Sequence, residues 1–360
     1  MNNRNTRVWI ALITVIMTFT LMLAGCGGAA GQGQPAEQSR SIGQETADAV
    51  STQAAAADTA VSSTQTTAKE TAEAQKFPLK ATDAGGFEMT VASEPQHIVS
   101  LTLGSDEMLL GLLGKSRITA LSRYADDAGI SNVSAEAAGV QERVSADKIE
   151  NIIALKPDMV ILDTWTDSKS IKQLRDAGIT VYTFKTPSNI NEQEAVITEL
   201  ANITGADEKG REIVGWMEAK LKEVESRLSK LKPEEKLTVM DYGEMGSSGK
   251  GTNVDDIETR AGLINVVAKA GMEGWPTVSK EKMIEMNPDI IILPSWYYDQ
   301  KNSLQGMIDT LKNDKSLQTV KAISGDRLIT VPNPHISAIS QYVVLGVEDL
   351  AKTAYPELFK

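Results

Sequence analysis

The chain has 360 residues, with 36 Lys and Arg against 48 Asp and Glu, and a formal net charge of −12. No Lys/Arg cluster interrupts that acidity, which excludes a phosphate-binding stripe for nucleic acid. One cysteine and two histidines exclude an internal disulfide, a thiolate metal site and a multi-histidine zinc site.

Arg4 and Arg7 precede an uncharged apolar run, Val8 to Leu23, which stops at Leu23-Ala24-Gly25-Cys26. A basic start, a short apolar stretch and small residues before a cysteine predict a secretion signal over 1–25 and a lipid-accepting thiol at Cys26. The run is shorter than the roughly 20 residues that cross a bilayer core. The mature chain is therefore expected to be extracytoplasmic and anchored to the membrane by its acyl chains. From Gly27 to Lys76 there is no Phe, Trp, Tyr, Leu or Met, so 26–76 reads as the lipidated cysteine followed by a disordered tether. As flexible coil it would span on the order of 40 Å.

Beyond residue 77, short Val/Ile-rich runs alternate with helical patterns. His97–Leu101, Met159–Leu162 and Ile179–Tyr182 come first, then Leu237–Met240, Ile290–Leu293 and Leu328–Val331. This is α/β patterning in two sets, predicting lobes over 77–205 and 233–360. Between them Ile213, Trp216, Met217, Leu221, Val224, Leu228 and Leu231 recur at helical steps, predicting one long amphipathic helix over 206–232. At about 1.5 Å per residue it would be roughly 39 Å long, enough to run along both lobes.

An internal repeat links the halves: Glu150–Leu162, ENIIALKPDMVIL, recurs as Glu281–Leu293, EKMIEMNPDIIIL. Each copy reads as helix, Pro-Asp turn and buried strand, with Trp165 and Trp296 each eight residues after the proline. Both tryptophans fall just beyond a strand's carboxyl end, where ligands collect in open α/β sheets. The same placement nominates Tyr242, Tyr297 and Tyr298 as cleft residues. Gly243–Thr252 has the wrong spacing for a phosphate loop, and no nucleophile elbow is present.

Several landmarks together carry a family resemblance: His97-Ile98-Val99-Ser100-Leu101, Asp106-Glu107, Leu113-Gly114, Ile153–Asp158, Trp275–Glu281 and Asn287-Pro288-Asp289. From about Pro95 onward the chain resembles class III periplasmic binding proteins for iron siderophores, cobalamin and haem. The resemblance implies two Rossmann-like lobes joined by a single backbone helix, with a ligand cleft between them. It implies that Glu150 and Glu281 meet arginines on the two subunits of an ABC permease. It also implies that Tyr124 and Trp275 face the cleft, and that His335 sits in a pocket loop as a possible axial ligand to haem iron or corrinoid cobalt. His97 reads as structural.

The expected cargo is an iron(III)-siderophore, with a corrinoid or haem as alternatives; no intrinsic cofactor and no catalytic residue is expected, and the chain is expected to be monomeric. The family's carboxylate-siderophore binders use several pocket arginines, whereas the loops here offer mainly Arg123 and Arg260, which disfavours a highly anionic citrate-type chelate. Val144 stands where the family's cobalamin binders often have an aromatic residue. The competing class is a two-lobed surface enzyme or a nonenzymatic sensor on the same fold.

Overall fold

A computed structural model of the chain describes residues 76–243, 246–297 and 303–360. These lie in one compact unit, Glu70–Lys360. The signal, Cys26, the tether and Tyr298 lie outside the described residues.

A hairpin, β1 (Leu79–Thr82) and β2 (Glu88–Val91), leads into the first lobe. There β3 (Ile98–Ser100), α1 (Leu103–Leu113), β4 (Ile118–Ser122), α2 (Ser134–Ala137) and β5 (Glu142–Val144) are followed by α3 (Ile149–Ala154), β6 (Met159–Asp163), α4 (Ser168–Asp176), β7 (Thr180–Phe184) and α5 (Ile190–Thr204). The strands form a parallel sheet in the order β5-β4-β3-β6-β7. Its runs are Val/Ile-rich on both faces because helices cover both. Thr102, Asp167 and Asn189 cap α1, α4 and α5 by accepting hydrogen bonds from free backbone amides.

The long helix α6 (Asp207–Leu228) follows. It is shorter than the expected 206–232: Pro233 bars the helical conformation at Lys232, and Leu231 N–H turns back to the Leu228 carbonyl at 2.9 Å. Met217 and Val224 on α6 are buried in a core shared by Ile197 and Leu200 of the first lobe and Val343, Val347 and Leu350 of the second. Each such side chain contributes about 1.5–3 kcal/mol by leaving water, so α6 is packed on both lobes.

The second lobe runs β8 (Thr238–Asp241), α7 (Asn253–Arg260), β9 (Ile264–Asn265), α8 (Val266–Lys269), α9 (Lys280–Met286), β10 (Ile290–Leu293), α10 (Leu304–Asn313), α11 (Lys321–Ser324), β11 (Leu328–Thr330), α12 (Asn333–Ile336) and α13 (Val343–Ala354). Its parallel sheet has the order β11-β10-β8-β9.

The repeat is structural as well as sequential. Lys156 and Asn287, the residues before each proline, both take the left-handed conformation, at φ 50° and 46°. The following aspartates do equivalent work. Asp158 Oδ2 accepts from Gln96 and His97 N–H at 2.7 and 3.0 Å, while Asp289 Oδ2 accepts from Thr238 N–H and Oγ1 at 2.9 and 2.6 Å. Each ties the repeat's turn to the first strand of its own lobe, which accounts for the structural part of His97, whose side chain is exposed.

The lobes meet through buried polar contacts. Glu107 on α1 accepts from Asn132 N–H at 2.7 Å and from the Ser340 hydroxyl, and Asn132 Nδ2 donates to the Pro334 carbonyl at 2.6 Å. Ile190 N–H donates to Asp256 at 2.9 Å across the same junction.

Candidate functional site

The parallel register of the second sheet sets the ends of β8, β10 and β11 side by side. Beyond them Tyr242, the Pro294–Tyr297 segment and Val331 leave the sheet and wall a cavity of about 670 Å³. Tyr242, Trp275, Trp296 and Tyr297 line it together with Ile336 and Ile339, and Asp241, Asn253, Asn333 and Ser337 supply its polar points. Apolar walls with a few polar groups are the usual make-up of a small-molecule site. Four of the expected aromatic residues thus meet on one cavity.

Two loops bring Trp275 there. Ser247 N–H bonds the Pro276 carbonyl at 3.0 Å and Gly249 N–H the Gly274 carbonyl at 2.7 Å. Gly246 has φ +101°, and a Cβ on it would stand 2.7 Å from the Pro276 oxygen. Only glycine allows that approach.

Below the cavity floor lies a group of acids. Asp241 accepts from Ser248 N–H and Oγ, both at 2.6 Å, and burial raises its pKa. Glu258, wholly buried on α7, makes no well-formed hydrogen bond, and only the Asn265 side chain stands near enough to favour its charge. Burial, with Asp241 and Asp255 nearby, holds its carboxyl well above the usual range. In the first lobe Asp106 is buried against Ser122, donor to it through N–H at 3.1 Å and through Oγ at 2.5 Å, and burial pushes its carboxyl up to about 7.

The first lobe packs against Trp296 at Gly129, where an added Cβ would lie 2.2 Å from Trp296 Cδ1. Tyr124 stands on the same loop, 38% exposed and stacked by Arg123, whose Nη2 donates to the Tyr124 hydroxyl at 2.8 Å. It does not line the cavity, and neither does Trp165, which is 82% exposed. Trp165 N–H is held by Asp163 at 3.1 Å in a turn that leaves the indole in solvent.

His335 is not in the cavity wall, and its Nδ1 lies 2.5 Å from Asp349 Oδ2 on α13. Arg260 is likewise committed, to Asp256 and Asn191 at 2.9 and 2.8 Å.

Glu150 and Glu281 are both exposed in the first turn of their helices, α3 and α9. Sequence reading missed Asp241, Asn253, Asn333 and Gly129. Asp241 was within reach, since it precedes Tyr242 at the same strand end, whereas nothing local marks Gly129 as the neighbour of Trp296.

Residues 98–334 match the family model described as periplasmic binding protein. The ABC transporter substrate-binding lipoprotein YvrC of Bacillus subtilis is 25% identical over 373 residues, covering 98% of both chains. Among solved structures, the molybdate-binding protein MolA of Haemophilus influenzae superposes with a TM-score of 0.65 at 21% identity, over 78% of this chain and 92% of its own. The periplasmic heme-binding protein RhuT of Roseiflexus does so at 0.62 and 20%, over 73% and 99%. With the twinned lobes, the bridging helix and the matched segment in agreement, the chain belongs to the periplasmic binding protein family.

Proposed function

We propose that the chain is the substrate-binding component of an ABC importer, that it captures a metal chelate and that it delivers this to a permease. The observation that carries the reading is the aromatic-walled cavity at the strand ends of the second lobe. An iron(III)-siderophore suits such walls, and a corrinoid or haem is the alternative cargo. The likeness to YvrC over nearly the whole of both chains supports the transport role.

Glu150 and Glu281 serve in this reading as the permease-docking pair. Their equivalent places in the repeat, both in solvent, support recognition by a two-fold symmetric partner. Cys26 is the lipid anchor that keeps the chain outside the cytoplasm. Among the described residues no helix is long and apolar enough to cross a membrane.

The test is transport. Cells lacking the chain should lose uptake of the labelled chelate and regain it on complementation. Unchanged uptake of iron-siderophore, corrinoid and haem in those cells would contradict the reading.

A further inference from the structure

We infer that the cavity admits chelates of zero or positive net charge and rejects those carrying a net negative charge; the inference rests on the proposed chelate-binding role.

The wall is built from aromatic and aliphatic side chains, and among the described residues lining it there is no Lys, Arg or His. Among the described residues of the wall the one carboxylic acid is Asp241. Behind it Asp255 and Glu258 approach closely enough to act on one another. Cations that the sequence places near the site are engaged elsewhere. Arg260 is held by Asp256 and Asn191, and Lys280 is paired with Asp314. Arg123 lies over the Tyr124 ring outside the cavity.

An anion entering here gives up its hydration and meets no counter-charge among the described residues of the wall. A neutral or cationic chelate loses little and gains stacking on Trp275, Trp296 and the tyrosines, with cation–π attraction if it is charged. Size points the same way. At about 30 Å³ per water, the volume equals roughly twenty waters, several times what a tetrahedral oxyanion displaces. The likeness in fold to a molybdate-binding protein therefore does not carry over to its cargo.

The experiment is a charge series on fixed scaffolds, followed by tryptophan emission of the full mature chain. One scaffold is a linear ferric trihydroxamate with its terminal amine free (+1), acetylated (0), succinylated (−1), or carrying the uncharged succinamide of the same size. The other is a corrinoid compared with its side-chain monocarboxylate.

On whichever scaffold binds, we expect the acetyl and succinamide forms to bind alike, the amine form to bind at least as tightly, and each carboxylate form to bind at least about tenfold more weakly. Molybdate and a trianionic ferric catecholate should leave the emission unchanged. A succinylated probe binding as tightly as its amide, or binding by the catecholate, by haem with its two propionates, or by molybdate alone, would overturn the inference. Silence from every probe on both scaffolds, haem included, would instead remove the chelate reading and this inference with it.

Discussion

Glu258 is a carboxylic acid sealed in protein, with no well-formed hydrogen bond and only the Asn265 side chain near enough to favour its charge. Its folded-state pKa is raised by burial and by Asp241 and Asp255, against about 4.3 for a free Glu. The neutral form is the one the fold prefers. The group's contribution to stability is therefore full below the unfolded value and is lost as pH rises through the folded one. Asp106, pushed up to about 7, acts in the same direction.

Glu258→Gln should accordingly raise Tm at pH 8 by roughly 2–4 °C, the shift that about 1 kcal/mol gives a chain of this size, and change little at pH 4.5. Calorimetry at the two pH values checks it, and an equal effect at both would contradict the assignment. Gly246→Ala should cost about 1–3 kcal/mol in urea unfolding, since it forces a non-glycine residue into a left-handed backbone against the Pro276 oxygen.

Residues of this kind were not legible in the sequence. Glu258 lies on α7 among the charged residues Asp255, Asp256 and Arg260, and nothing in that run marks it as the buried one. His335 could not be paired with Asp349 without knowing that α12 folds back on α13. The two repeat tryptophans diverge, one in solvent and one in the cavity wall, because the loops after β6 and β10 take different paths.

The elements themselves were largely legible. The Val/Ile runs became parallel strands, and the repeat became two helix-turn-strand units whose aspartates each hold the first strand of a lobe. These straps are testable. Asp289→Ala should destabilise by about 1–3 kcal/mol, the cost of orphaning part-buried donors, and Asp158→Ala by less, because water can replace its bonds to the exposed Gln96 and His97 amides. Denaturant melts of the two variants check this, and no loss from Asp289→Ala would show that the strap contributes nothing. The long helix was visible from its spacing, though its end at Leu228 was set by a proline five residues on. The short helices α2, α8, α11 and α12 carry too few residues for a periodic signal and were not foreseen.

At the scale of the molecule, α6 and the buried Glu107 junction bind two similar lobes into one body that presents Glu150 and Glu281 in equivalent settings. Exposed interprotein ion pairs chiefly steer and orient. Glu150→Ala combined with Glu281→Ala should leave chelate affinity unchanged and abolish uptake; binding and transport assays on the double variant decide it. Cys26→Ser should release the chain from the membrane fraction, as fractionation will show, with the folded domain still able to bind.

The most direct measurement is a titration of the mature chain with metal chelates, read by tryptophan emission in two double variants. The account predicts saturable quenching at micromolar or lower concentration that persists in Trp165→Phe/Trp216→Phe and disappears in Trp275→Phe/Trp296→Phe. Quenching carried by Trp165 or Trp216, or none with any iron-siderophore, corrinoid or haem, would contradict it.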